Sequence, residues 1–306
     1  MFVEPGGNHG DFLIYAGAKK LANELGIKYA SFSFKPGTSF MEFLKEVAPK
    51  KKVNPSDVIY LHGGGGFNSM YNWSPIVLRT LRNLFPKNLI IVGPSTVERE
   101  ERYLKQILPK DKNIIFFARE LVTYKFMKRF FSRVHLDEDT ALQLSKDCDE
   151  FKKFCMNIPV KNNHKLLVLR KDIEAVYLPR TVSRKDYDIV CDPAYLKRED
   201  WLKVHLWASK ITTNRCHSAI LGAILGKEVN LYANSYHKNH SLWEFSLTKL
   251  DVNWVEHKFF GNLIVKGSSH LNKFCSYFNQ KLLFRGVVVS PIFRFIKFSR
   301  IVVSKL

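Results

Sequence analysis

The chain repeats one local pattern: a short apolar run, a glycine-rich or polar turn, then apolar residues three and four apart. Residues Phe2–Glu4 run into Pro5-Gly6-Gly7-Asn8-His9-Gly10-Asp11. Leu13, Ile14, Ala18, Leu21, Ala22 and Leu25 follow at helical spacing, with Gly26 as a stop. Residues 28–34 read as a strand. The unit recurs at 57–62, with the glycine run 63–66 and a helix over 76–84. Strands at 88–94 and 114–118 and a helix over 120–131 come next. Parallel strands need crossovers rather than hairpins, so this order predicts a doubly wound parallel sheet.

A polar helical stretch over 140–157 precedes a second series. Strands are expected at 165–170, 187–191, 210–213 and 228–232, and helices at 201–209 and 217–226. The fold class read from this order is α/β: two Rossmann-like domains with parallel sheets facing a cleft. The expected divisions are 1–155, 156–265 and a tail, 266–306, in which aromatic residues and cations are interleaved. At 306 residues, either half is long enough to bury a core of its own.

A net charge of +20 favours anionic partners, from small phosphorylated molecules to acidic lipid head groups. The lysines are spread along the chain, with Lys50-Lys51-Lys52 and the tail as the dense blocks, and aromatic interleaving is confined to the tail. Nucleic acid is therefore not expected as a partner. The five cysteines lack CxxC spacing, which argues against a zinc site and for reduced thiols in the cytoplasm. The amino terminus has no basic start or long apolar core, and no apolar run reaches spanning length.

Candidate site residues lie where strands end. Asn8, Gly10 and Asp11 sit between a strand and a helix, where free backbone N–H groups and the helix dipole favour an anion or polar ligand. His62 leads into Gly63, Gly64, Gly65 and Gly66, more glycine than a plain turn needs. Open α/β sheets bind ligands at such carboxyl ends. Arg170 closes an apolar run in the second series and offers a planar fork for carboxylate or phosphate. Arg215, Cys216 and His217 stand at a strand end and helix start, which brings together a fixed cation, free amides and a titratable imidazole. His237 and Lys238 follow the next strand and add charge near the same strand ends.

Taken in order, these segments resemble the polysaccharide pyruvyltransferase family over about residues 3–250. The resemblance rests on Gly7-Asn8-His9-Gly10-Asp11, the run from His62 to Phe67, Ala118-Arg119-Glu120 and Leu136-Asp137-Glu138-Asp139. It continues through Leu169-Arg170-Lys171-Asp172, Asn214-Arg215-Cys216-His217, Asn234 to Asn239, and Trp243-Glu244. Two positions depart from the family pattern: Asn214 stands for an Asp, and Gly66 for an Asn.

The resemblance implies a two-domain GT-B-like fold with phosphoenolpyruvate as donor substrate, no cofactor or metal, and a pyruvate ketal on a sugar as product. Arg170, Arg215, Cys216, His237 and Lys238 are then expected on the donor side, with His217 moving protons. Asn8, Gly10, Asp11, Gly63, Gly64 and Gly65 are expected to face the acceptor. The acceptor is expected to be a sugar or glycan of an exopolysaccharide or similar precursor, lipid-linked if the tail lies on the inner, anionic face of the membrane. A glycosyltransferase using a nucleotide sugar, or an inactive family member, is the alternative.

Overall fold

A computed structural model describes residues 1–4, 7–33, 53–148, 163–176 and 182–256, with Glu42, Lys45 and Phe151 besides. The expected tail, the lysine triplet and residues 149, 150 and 152–157 of the stretch expected to be helical lie outside the described residues.

The first sheet contains β1 (Phe2–Glu4), β2 (Ser31–Ser33), β3 (Val58–Leu61), β4 (Gly64–Phe67), β5 (Leu89–Val97), β6 (Ile114–Ala118) and β7 (Val134–Leu136). Its order is β2-β1-β3-β5-β6-β7, with β4 paired to β5. The second holds β8 (His164–Val168), β9 (Ile189–Cys191), β10 (Ala208–Thr213), β11 (Glu228–Leu231) and β12 (Val252–Trp254), ordered β12-β11-β10-β8-β9. Every pairing is parallel. The described helices are α1 (His9–Glu24), α2 (Trp73–Leu84), α3 (Glu101–Ile107), α4 (Leu121–Met127), α5 (Arg198–Trp207), α6 (Cys216–Ile224) and α7 (Lys238–Phe245). The expected α/β class with parallel sheets is what the chain adopts.

Three local expectations are corrected. The glycine run is not simply a turn, since Gly64–Phe67 forms a strand against β5. Phe67, 1% exposed, packs edge-on against Phe116 and anchors it. Ala208 and Ser209 begin β10 rather than end a helix, and β10 shifts register against β8 beside them. The polar stretch starting at Thr140 opens with a single 3-10 turn, Thr140–Gln143, with Asp139 accepting a hydrogen bond from the Ala141 N–H.

Met1–Glu256 forms one compact unit with two apolar cores. The first surrounds β3, β5 and β6, with Val77, Leu78 and Leu81 of α2 packed on it. The second joins Leu166, Val168, Ile211 and Val229 to Trp201, Ala219 and Ile220. Leu13 and Ala16 of α1 also belong to this second core, although α1 follows a strand of the first sheet. Ala141 and Leu144 join them there, and Thr140 Oγ1 donates to the Ile14 carbonyl at 2.9 Å.

Candidate functional site

Because the strands of each sheet are parallel, their carboxyl ends fall on one side. The segments after β1, β3, β6, β8, β10 and β11 converge there on a cavity of about 580 Å3. Asn8, Gly10, Asp11, Gly63, Gly64, Gly65, Arg170, Arg215, Cys216, His217 and Lys238 all line it. His237 does not: its ring turns to the Glu120 carboxylate, 3.4 Å away, which caps α4.

His217 stands in the first turn of α6, with its ring against the backbone of Gly10. A Cβ on Gly10 would come within 2.2 Å of Nδ1, so only glycine admits the imidazole there. Across the ring, Nε2 lies 3.4 Å from Asp139 Oδ2 and 3.5 Å from Arg119 Nη1. Arg119 and Asp139 are 1% and 0% exposed and form an ion pair at 2.5 Å. Arg119 Nε also donates to Thr96 Oγ1 at 2.8 Å. Burial alone would raise the Asp139 carboxyl, but the Arg119 charge and the His217 hydrogen bond outweigh it and hold it far below its ordinary range.

The sequence alone does not mark Arg119 and Asp139 as site residues. Arg119 merely follows the apolar strand Ile114–Ala118, and its partner comes twenty residues later beyond a helix. The only signal was their presence in the segments that carry the family resemblance.

Beside Gly65, Arg119 Nη2 and Lys238 Nζ each lie 3.6 Å from where a Cβ would stand. Lys238 is buried and paired with Glu174, which also binds Arg170 Nη1 at 2.6 Å and Asn234 Nδ2 at 3.1 Å. Burial lowers the Lys238 ammonium despite Glu174. Arg170 lines the cavity with its fork already occupied: Nε and Nη2 reach the two oxygens of Asp172 at 2.8 and 3.0 Å. Arg215 Nη2 is bound to Asp192 at 2.5 Å, while its Nε is buried without a hydrogen-bond partner. Burial pushes the Cys216 thiol up to about 11, which keeps it neutral.

Asn214, 1% exposed, supplies through Oδ1 an acceptor for the Arg170 N–H at 2.8 Å. Its carbonyl accepts from Asn239 Nδ2 at 2.9 Å. An aspartate could accept the same Arg170 bond; the amide adds an Nδ2 that is buried without a partner. Among the described residues no group of three or more His, Cys, Asp and Glu could hold a metal ion. No described helix is long and apolar enough to cross a membrane.

Two all-parallel α/β sheets, with the strand ends of both bordering one cavity, place the chain in a class whose ligands sit at carboxyl ends. Within that class the chain belongs to the polysaccharide pyruvyl transferase family, whose model matches residues 8–236. It is thus a member of a transferase family. A search of curated proteins gives no match. Among solved structures, a functionally uncharacterised protein from Klebsiella pneumoniae subsp. pneumoniae is 19% identical with a TM-score of 0.58. That alignment covers 84% of this chain and 92% of the other, and shows a shared fold. UDP-GlcNAc 2-epimerase from Neisseria meningitidis aligns at 12% identity and a TM-score of 0.44, over 90% of this chain and 84% of its own.

Proposed function

We propose that the chain transfers a pyruvyl group from phosphoenolpyruvate to two hydroxyls of a sugar, in a GT-B-like arrangement with one sheet on each side of the cavity. The observation that carries this is Arg119 at the gap beside Gly65, across from Lys238, with the buried Arg119–Asp139 pair set against the half-buried His217. A donor bearing a carboxylate and a phosphate needs fixed cations, and Arg119 Nη2 and Lys238 Nζ border a space without a side chain. Arg215 extends the positive lining, whereas Arg170, saturated by Asp172 and Glu174, holds the donor wall in shape. His217 protonates the donor methylene, a sugar hydroxyl adds to the adjoining carbon, and the second hydroxyl displaces phosphate. Side-chain charges and one imidazole suffice for this scheme, so it calls on no cofactor.

The same reading places the acceptor at Asn8, Asp11 and the glycine run, and the protein in the cytoplasm. Its net charge of +20 and the composition of residues 266–306 favour contact with an anionic membrane carrying a lipid-linked glycan precursor. Thermal unfolding with phosphoenolpyruvate, a nucleoside diphosphate and inorganic phosphate tests the donor. A ligand selective for the folded state raises the melting temperature. The expected result is a shift with phosphoenolpyruvate beyond that with phosphate. A shift confined to the nucleotide would replace this reading with a nucleotide-sugar glycosyltransferase. His217→Ala should keep the phosphoenolpyruvate shift and lose turnover.

A further inference from the structure

The turn from Gly7 to Asp11 looks built for a purpose other than cradling phosphate. Its glycines clear room for two side chains. A Cβ on Gly7, whose φ is +148°, would fall within 2.1 Å of Asp11 Oδ2. One on Gly10 would strike the His217 ring, and one on Gly64, at φ +147°, would stand 3.2 Å from Asp11 Oδ1. Asp11 Oδ2 is committed, accepting the Asn8 N–H at 2.8 Å in a capping box that opens α1. Among the described residues Oδ1 has no hydrogen-bond partner, and Asp11 borders the cavity. A cap alone asks for one oxygen; the clearance around the other is unexplained by the helix.

We infer that Asp11 is the general base for the acceptor, working opposite His217 as general acid. The inference rests on the pyruvyltransfer reading above. In the first step Asp11 Oδ1 takes the proton of the attacking hydroxyl as its oxygen bonds to the central carbon of the donor. The electron pair of the donor's double bond takes a proton from the His217 imidazolium and makes the methyl group. In the second step the neutral imidazole takes the proton of the second hydroxyl as that oxygen bonds to the same carbon. The carbon–oxygen bond to phosphate breaks, phosphate leaves with the electron pair, and it receives the proton held on Asp11. Both residues end as they began, and no other reactant is needed.

Burial raises the Asp11 carboxyl, making it a better base, against the lowering pull of the His217, Arg119 and Lys238 charges. Tyr15, one turn along α1, is pushed well up by burial and by Asp11, so it stays a neutral phenol beside the carboxylate.

Asp11→Asn tests this with little structural cost, because the amide oxygen still accepts the Asn8 N–H. Phosphate release from phosphoenolpyruvate is measured with water alone and with the methyl glycosides of glucose, galactose and mannose as acceptor probes. Thermal shift with phosphoenolpyruvate and deuterium uptake at the donor methylene in D2O are followed in parallel. The expected result is a loss of both phosphate release and deuterium uptake by a factor of about 100 or more, with the donor shift kept. Phosphate release within three-fold of wild type overturns the base assignment. So does loss of the donor shift, which would make Asp11 a donor-positioning residue. A wild-type chain that gains no stability from phosphoenolpyruvate fails at the donor and overturns the pyruvyltransfer reading, which sets that outcome apart from the others.

Discussion

Asp139→Asn removes one charge from the most deeply buried ion pair of the cavity and leaves Arg119 uncompensated. The substitution keeps the shape of the side chain and an oxygen for the Ala141 N–H. What it loses is the charge that offsets the 1% exposed guanidinium. Breaking a buried pair at one partner costs about 3–5 kcal/mol. At roughly 2–4 °C per kcal/mol for a unit of this size, the melting temperature should fall by about 6–20 °C. Arg119→Met in the same chain removes the stranded cation, so the double variant should regain more than half of that loss. Differential scanning fluorimetry at pH 7 reads both. The wild type also carries a pH signature: the folded carboxyl titrates below its unfolded value of about 3.9, so its contribution is complete above that and lost with acid below it. A single variant within about 1 kcal/mol of wild type, or a double variant worse than the single one, would refute the account of the pair.

Gly65→Ala separates ligand space from stability. The added methyl group meets its nearest neighbours at 3.6 Å, so the melting temperature should stay within about 2 °C while the phosphoenolpyruvate shift disappears; an unchanged shift would remove the ligand from that gap. His62 is 1% exposed among the rings of Phe2, Tyr15 and Tyr60, with neither ring nitrogen hydrogen-bonded, and burial lowers it to about 3. The unfolded chain therefore binds the extra proton between pH 6.5 and 3, and wild type should lose about 2 kcal/mol from this group between pH 7 and pH 5. His62→Phe should flatten that slope and match or exceed wild-type stability, as urea midpoints at the two pH values would show.

Parallel topology was legible because its causes are local. Ile114–Ala118 is a run of five residues with no polar atom in its side chains, and the strand occupies that run without shift. Gly63 stood out because four glycines in a row are more than a plain turn needs, His217 because Arg215 stands beside it at a helix start, and Gly10 because it joins a strand to a helix. Arg119, Asp139 and Glu174 carried no such mark. Their roles come from ion pairs between residues 20 apart in one case and 64 in the other, and spacing along the chain does not encode such closures. Arg170 illustrates the opposite difficulty. A strand-end arginine reads as open to ligand until Asp172 and Glu174, two and four residues on, are seen to fold back onto it. His237 drew attention as a charged neighbour of Lys238, yet its ring faces Glu120 and α4.

Leu13 and Ala16 sit in the second core although about 150 residues separate them from the first strand of its sheet, β8 (His164–Val168). On a ribosome adding about 5–20 residues per second, Leu166 emerges roughly 8–30 s after them. Throughout that interval the nascent helix presents an apolar face whose partners have not yet been synthesised. The amino-terminal half thus leaves the ribosome as a natural client for chaperones. Cutting the gene near residue 155 would strand both fragments, one with a bare helix and one with an unfilled core.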